Sequence, residues 1–588
     1  MTLEVDSSKC SKCSKVLSRV KSWTNPTEFK ASKLRAILMG YIVTSTVGEI
    51  CAYKLMQQDI RAGDLPPYSI NVAIITFALF EVLVAPFISW WGYRHRRALL
   101  IAYGSVASLC VLSWYFLPDP TRKEETKFCG VANASNSSLF LGVPIRTAVR
   151  LVLILSNSIV FVMTRVACWS HGIAYCEEFE PERTHVHYAV LLLSRTVPLI
   201  LGYKLLTGDV ETNMTFQTTT FLIGYVPNLV QVFSSVPKVA PIVKGEQKTE
   251  LRDYERSFLT SVGRVASNKL AMSQIFAMGL LAMALYGYIY NESDIVKVKF
   301  NLVEDGNGTV QVTKLFHYFF LMFVVGLTGN LYSKPISRQF RRSVHMKQII
   351  RSTIFVIVAY IAMTFIVGCD RGKVAGLSDE AYTTPECSIA CGCRPRFREF
   401  EPVCVMEEMV TYVSPCHAGC GGEELFDGVR AYTNCTCSTT GRAAVGACSD
   451  VMCKQSHGQH GMLLVIAVTF TLLCFQAQGV MLLRIVDPRD KSVVMGVAWF
   501  VVTLMTFVFG HLWFMWMRAG MCRWYEAEQC HLQYSNFSNH VGGTCAVIAI
   551  ASLVISIVSA FSLRKKNKSK DYKLVYVKPI EMEVEQNQ

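Results

Sequence analysis

Stretches of about twenty mostly apolar residues, the length a helix needs to cross a bilayer, recur down this chain and predict its elements. Twelve are read: 36–56, 69–91, 98–117, 148–169, 187–206, 219–239, 271–290, 314–332, 352–369, 461–484, 493–516 and 542–563. They divide as six and six around a charged segment, 240–270, with EQKTELRDYERSF near its centre. Pro227 and Pro237 interrupt the sixth stretch and Arg195 falls in the fifth, so these are the least regular of the set. The expected fold class is all-α and polytopic, with twelve transmembrane helices in two six-helix halves, 36–239 and 271–369 plus 461–563. One long loop, 370–460, interrupts the second half, a linker at 240–270 joins the halves, and tails 1–35 and 564–588 flank the bundle.

Composition agrees: 51% of the 588 residues are apolar and 17% charged, far from a soluble average. The net charge of +14 mostly reports orientation. Lys9, Lys12, Lys15, Arg19, Lys21, Lys30, Lys33 and Arg35 precede the first span, Arg94, Arg96 and Arg97 follow the second, and Lys334, Arg338, Arg341, Arg342, Lys347 and Arg351 follow the eighth. Arg564, Lys565, Lys566, Lys568 and Lys570 follow the twelfth. A twelve-span count puts all of these on one face, the positive-inside pattern. Both termini are therefore expected in the cytoplasm, and the charge gives no reason to infer nucleic acid. The charged lead before the first span lacks the pattern of a cleavable signal peptide. Sequons at Asn133, Asn136, Asn213, Asn291, Asn307, Asn434 and Asn536 fall in loops that the same count puts outside, where they are expected to carry glycans.

Of 22 cysteines, eleven lie between Cys369 and Cys453. Clustering in an outside loop reads as disulfides in an oxidising compartment, and the expected set is Cys369, Cys387, Cys391, Cys393, Cys404, Cys416, Cys420, Cys435, Cys437, Cys448 and Cys453, with Cys522 and Cys530 in a second loop. Cys129 also lies outside. Cys51, Cys110, Cys168, Cys474 and Cys545 fall in or near spans, where a thiol behaves as a small hydrophobe, and Cys176 is expected as a cytoplasmic thiol. Cys10 and Cys13 form a C-x-x-C in the basic tail; zinc needs four ligands and no second pair is near, so free or lipidated thiols are the expected state. No metal or other cofactor is expected.

The spacing from Cys387 through Cys437, with FEPVC (400–404), TYVSPCHAGC (411–420) and YTNCTC (432–437), resembles Kazal-type protease inhibitor domains. A module this small buries too little apolar surface to hold itself, so its disulfides are expected to contribute about 2–4 kcal/mol each. It reads either as a rigid glycosylated cap or as a protease-binding module.

Two helical halves around a midplane site is the layout of secondary transporters. No Walker A motif and no potassium-filter pattern is present, and no nucleophile with base and orienter emerges, so an enzyme is not expected. SWWGYRHRRALL (89–100) and GNLYSKPISRQFRR (329–342) place a Gly and a basic cluster at matching loops of the two halves, as in major facilitator transporters. With the Kazal-like module between spans nine and ten, the chain resembles the organic anion transporting polypeptides of that superfamily. Supporting stretches are FISWWGYRHRRALL (87–100) after Phe80 and Glu81, GIAYCEEF (172–179), VDPRDKSVVMG (486–496), and FG (509–510) followed by CRW (522–524) and Cys530. The resemblance implies a plasma-membrane transporter that exchanges amphipathic organic anions, such as conjugated steroids, without sodium and against a possible counter-anion. It also departs from that pattern: FQTTTFLIGYVP (216–227) replaces a tryptophan-rich signature, Ser45 stands where a lysine is expected, and GVAWFVVTLMTFVFG (496–510) holds no base. An anion site stripped of these charges is suited to neutral or weakly charged cargo, or to a non-transporting scaffold that displays the Kazal-like domain.

A charge at the centre of a span costs about 2.5–3.5 kcal/mol, so each faces protein or a watery cavity. Those charges are Glu49, Glu81, Arg165 and Arg195, the candidate substrate-binding residues, with His317 and His511 as titratable extras. A guanidinium matches a carboxylate or sulfate in bidentate fashion; equally, either arginine could pair Glu49 or Glu81 and hold helices together. Trp90, Trp91, Trp499, Trp513 and Trp516 could stack on a steroid-like cargo or anchor at the headgroups. Besides membrane lipid and cargo, the tail 571–588 offers a site for cytoplasmic partners that the sequence does not name.

Overall fold

The computed structural model describes residues 31–61, 64–92, 96–113, 129, 139–140, 143–181, 183–205, 257–300, 341–369, 373–377, 382–393, 401–426, 429–448, 452–526 and 529–569. Its helices run in chain order as α1 (Ala31–Arg61), α2 (Ser69–Trp91), α3 (Arg96–Ser113), α4 (Ile145–Ala167), α5 (Ile173–Phe179), α6 (Thr184–Leu205), α7 (Phe258–Ser267), α8 (Lys269–Phe300), α9 (Arg341–Phe365), α10 (Met452–Ile485), α11 (Lys491–Thr503), α12 (His511–Gly520) and α13 (Phe537–Ser569). A π-helical turn, Cys168–Gly172, joins α4 to α5, and another, Leu504–Gly510, joins α11 to α12. Ten of the twelve predicted stretches fall on these helices, while 219–239 and 314–332 lie outside the described residues. Eight of the helical spans are long and apolar enough to cross a membrane.

The helices are two-faced in a way that only a bilayer rewards. On α13, Val547, Ile550, Val554, Val558 and Phe561 form an exposed apolar stripe, whereas Cys545, Ala549, Ser552, Ser556 and Ser559 are buried. Small residues let backbones approach closely: the Ser552 hydroxyl donates to the Ala277 carbonyl of α8 at 2.7 Å, the Cys545 thiol to that of Ala284 at 3.2 Å, and Ser559 bonds Ser273 at 2.8 Å.

Several helices overrun the predicted spans because their ends are buried by protein. Helix α8 continues ten residues past Tyr290, and Asp294, Val298 and Phe300 are all buried. The Lys299 ammonium donates to the Met363 carbonyl at 2.8 Å, and Asp294 pairs with Arg518 at 2.8 Å. The sequon at Asn291 falls inside this helix, where its side chain is fully buried and its amide donates to the Gly287 carbonyl at 2.8 Å, an environment that leaves no room for a glycan. The charged linker also ends in structure, since Ser257 caps α7 by accepting from the Thr260 amide at 3.3 Å.

Between α9 and α10 lies a small domain built on a six-stranded sheet. Its strands are β3 (Lys373–Val374), β4 (Val403–Val405), β5 (Val410–Tyr412), β6 (Gly422–Phe426), β7 (Val429–Thr433) and β8 (Arg442–Val445), after a short pair β1 (Leu139–Phe140) and β2 (Val143–Pro144) in the loop before α4. The order is β3-β5-β4-β8-β7-β6, antiparallel except for β3 beside β5. A hairpin of β9 (Cys522–Glu526) and β10 (Gln529–Gln533) follows α12.

Disulfides join Cys387–Cys437, Cys393–Cys416, Cys404–Cys448, Cys420–Cys435 and Cys522–Cys530, and Cys369 is disulfide-bonded as well. The Cys453 side chain lies outside the described residues. Cys391 bonds Cys129, from the loop between α3 and α4, and the Cys129 amide donates to the Cys420 carbonyl at 3.1 Å. Cys51, Cys110, Cys168, Cys176, Cys474 and Cys545 are free thiols. The domain is seated on the β9–β10 hairpin: Trp524 packs on Tyr382 with ring centroids 4.5 Å apart, beside Val298, Val413 and Leu532.

Candidate functional site

Four helices bring the charges predicted in the spans together. Arg165, one turn before the π-helical turn of span four, reaches Glu81 on α2 in bidentate fashion: its Nε donates to Oε1 at 3.2 Å and its Nη2 to Oε2. Its Nη1 donates to Oε1 of Glu49 on α1. Arg195 on α6 completes the set, its Nη2 donating to the other Glu49 oxygen at 3.3 Å. Each arginine thus pairs with a glutamate of another helix, and Arg195 keeps Nη1 buried with no hydrogen-bond partner among the described residues.

Both halves contribute to an aromatic wall beside these charges, Trp169 and Tyr188 from the first and Trp499 from the second. Trp499 of α11 lies 5.8 Å from the Arg165 guanidinium, a cation–π distance, and stacks near Trp169, which in turn meets Tyr188. π-helical turns recur at functional sites because the extra residue re-aims side chains. Here Cys168–Gly172 carries Trp169 into the wall, and His171 on the same turn is bonded to the Ile88 carbonyl of α2 at 2.8 Å. Glu81, only 2% exposed, is committed to Arg165, whereas Glu49 at 21% is the more accessible carboxylate.

Residues that, Trp90 apart, the sequence did not single out as a site tie the halves together at the end of the bundle opposite the disulfide domain. Glu177 on α5 faces Arg484 at 3.5 Å and Lys491 at 3.8 Å, and Arg484 also donates to the Pro181 carbonyl at 2.8 Å. Gln476 donates to the His185 carbonyl at 2.9 Å. Arg264 of α7 forms a bidentate pair with Asp490 at 3.0 and 2.9 Å, and Phe258 packs on Trp90 at 5.6 Å. The signal for α7 was present in Ser257 followed by Phe258, Val262 and Val265 at helical spacing.

Nearer the domain, His511 bonds the Tyr286 hydroxyl at 2.7 Å through Nδ1, and the Tyr290 hydroxyl donates to Asn71 of α2 at 3.2 Å. His511 is therefore a hydrogen-bonded, fully buried residue. Trp91 and Trp516 are exposed on the apolar exterior, and Trp513 packs on Trp516 at 5.4 Å. His317, Asn133, Asn136, Asn213 and Asn307 lie outside the described residues, while Asn434 and Asn536 are exposed.

An apolar exterior enclosing paired charges, with a disulfide-stapled domain at one end, defines a polytopic membrane protein. The chain belongs to the Organic Anion Transporter Polypeptide (OATP) family, whose sequence model matches residues 235–536, just over half of its length. It is similar to solute carrier organic anion transporter family member 2B1 of Homo sapiens, 30% identical over 145 residues that make up 23% of this chain and 20% of the relative. It is also similar to member 1C1 of Macaca fascicularis, 27% identical over 281 residues, or 42% and 46% of the two chains, and to member 1C1 of Mus musculus, 23% identical over 366 residues, or 56% and 49%. The chain thus spans between a fifth and a half of the length of these relatives. Glu49, Glu81, Arg165 and Arg195 all lie outside the 235–536 match.

Proposed function

We propose that this chain is a plasma-membrane transporter that carries amphipathic organic anions by alternating access, without sodium, with Arg195, Arg165, Glu81 and Glu49 forming its charged site. The halves 36–239 and 271–369 plus 461–563 rock about that site in this reading, with both termini in the cytoplasm. The observation that carries the proposal is the buried Nη1 of Arg195, without a hydrogen-bond partner among the described residues, a guanidinium donor available to a carboxylate or sulfate. The rings of Trp169, Tyr188 and Trp499 beside the cluster suit the apolar body of such a cargo, as pockets with few polar contacts do. That the similar proteins are organic anion transporter family members supports the cargo class. Glu177 with Arg484 and Lys491 makes a contact that must part when the cytoplasmic side opens.

The test is uptake of a labelled sulfated steroid into cells expressing the protein, with surface amount measured. Saturable uptake is expected, and Arg195→Ala weakens apparent affinity about tenfold or more, since a hydrogen bond to a charged group contributes about 1.5–3 kcal/mol. Absence of uptake at full surface expression points to a display scaffold instead. A second reading, a neutral cargo, is favoured by the charge balance of the site, in which two arginines meet two glutamates; uptake of an uncharged steroid in preference to the sulfate would establish it.

A further inference from the structure

The lipid-facing stripes of three adjacent helices all turn basic at the end of the bundle opposite the disulfide domain. On α9 the exposed apolar positions Ile361, Val358, Phe355 and Ile354 continue at helical spacing into Arg351 and Lys347, both exposed. On α8 the exposed Phe276 shares a face with the exposed Lys269. On α13 the stripe that reaches Phe561 runs on into Arg564, Lys565 and Lys568, because the helix continues to Ser569, beyond the end of its apolar span at Leu563. Arg341 and Arg342 open α9.

These three ends are neighbours. Ser273 of α8 bonds Ser559 of α13 at 2.8 Å, and Met346, Ile349 and Ile350 of α9 share one core with Leu270 and Leu563. Nothing on the helices themselves offsets the charge: α9 and α13 hold no acidic residue, and α8 holds none before Glu292. Lys269, Lys347 and Arg351 form no ion pair among the described residues. Other cations at this end are matched within the protein, Arg96 by Glu178, Arg264 by Asp490, and Arg484 and Lys491 by Glu177.

We propose that the basic ends of α8, α9 and α13 form a docking surface for anionic phospholipid headgroups, which lie in the cytoplasmic leaflet in the orientation given above. Charge complementarity and continuity with the lipid-facing surface name the occupant: a ligand with apolar chains and an anionic head meets both parts of each stripe. Lysine and arginine suit that depth, since their stems lie along apolar surface while the charge reaches the interface. Basic clusters directly beside a span attract anionic lipid, with about a fivefold gain in affinity for each cation near the surface. A head with more phosphates is therefore held more tightly. A soluble inositol phosphate brings the charge without the chains and meets only the basic part. Binding involves no cargo, so the site stands or falls independently of transport.

The test uses the purified full-length protein in neutral detergent and follows the midpoint of thermal unfolding as short-chain lipid is added, because a ligand of the native state stabilises it by mass action. Dioctanoyl phosphatidylinositol bisphosphate is expected to raise the midpoint saturably, dioctanoyl phosphatidylserine to do so at higher concentration, and dioctanoyl phosphatidylcholine to leave it unchanged. Added salt weakens the effect. Lys347→Gln combined with Arg351→Gln is expected to weaken binding of the bisphosphate lipid about twenty-fivefold. Lys565→Gln combined with Lys568→Gln, on the neighbouring helix, acts by a similar factor. Phosphatidylcholine acting as strongly as the anionic lipids, or unchanged binding in either double variant, overturns the proposal. An equal effect of soluble inositol trisphosphate shows a phosphate site that takes no lipid, and overturns it as well.

Discussion

At the scale of single residues the disulfide domain offers a titration that can be worked out. Glu407, exposed in the β4–β5 turn, accepts from the Thr439 hydroxyl at 2.6 Å, the Thr440 hydroxyl, and the amides of Thr439 and Thr440 at 3.1 and 3.3 Å. These bonds favour the charged form, Thr439 most, and hold the carboxyl at about 2 against an ordinary 4.5. A depressed carboxylate stabilises the fold above its ordinary value and loses that contribution as pH falls through its folded one. Hydrogen exchange of the Thr439 and Thr440 amides in the intact protein should therefore stay slow at neutral pH, lose protection between about 4.5 and about 2, and be fast throughout in Glu407→Gln.

A second residue-scale outcome concerns glycans. Asn434→Gln and Asn536→Gln are each expected to remove a glycosidase-sensitive mass shift, and Asn291→Gln to change nothing. The triplet at Asn291 read like the other sequons because a sequon records three residues. It does not record a helix that runs ten residues further under a domain. Glu49, Glu81, Arg165 and Arg195 were legible as isolated charges in apolar runs, whereas their pairing depends on which faces of four helices meet, and that is not written in any one of them.

At the scale of elements, helix positions were readable from hydropathy because each span must satisfy its backbone internally. Their extensions were not, since Lys297 and Lys299 end an apolar run in sequence yet are buried by the domain and α9 in space. Packing between helices turns on small residues whose importance a hydropathy profile misses. Gly287 of α8 lies against the ring of Phe514 on α12, a fully buried side chain, and a Cβ there would fall on the ring. Gly287→Ala is expected to destabilise the purified protein by about 1–3 kcal/mol, the range for overpacking a close-packed site, read as a lowered midpoint of thermal unfolding. Gly496 of α11 meets Ser89 and the Ala85 carbonyl of α2 across the two halves. Gly496→Val should force these helices apart, and a cysteine placed near that contact should then label faster with a water-soluble thiol reagent; an unchanged labelling rate would show that the helices absorb the side chain without separating.

At the scale of the whole molecule, the domain belongs by chain order to the second half and by covalent bond to both. It enters from α9, returns through α10, and rests on the hairpin after α12 through Trp524, His417 and His531. Cys391 nevertheless ties it to Cys129, 262 positions earlier, in the loop between α3 and α4. The Kazal-like spacing made a disulfide core readable, but a pattern internal to the module carries no information about a partner outside it. Among the described residues, Cys129–Cys391 is the covalent link between the halves other than the chain itself, so it can be isolated by cutting the chain. With a protease site placed in the 240–256 segment, the cut protein should run as one species on a denaturing gel without reductant and as two after reduction. Cys129→Ser should give two species under both conditions. Two species from the uncut-disulfide protein without reductant would mean that the bridge is not formed and that the domain moves with the second half alone. One species means that the domain is strapped covalently to both halves, so that in the proposed transport cycle any opening on that side requires the loop between α3 and α4 to follow the domain.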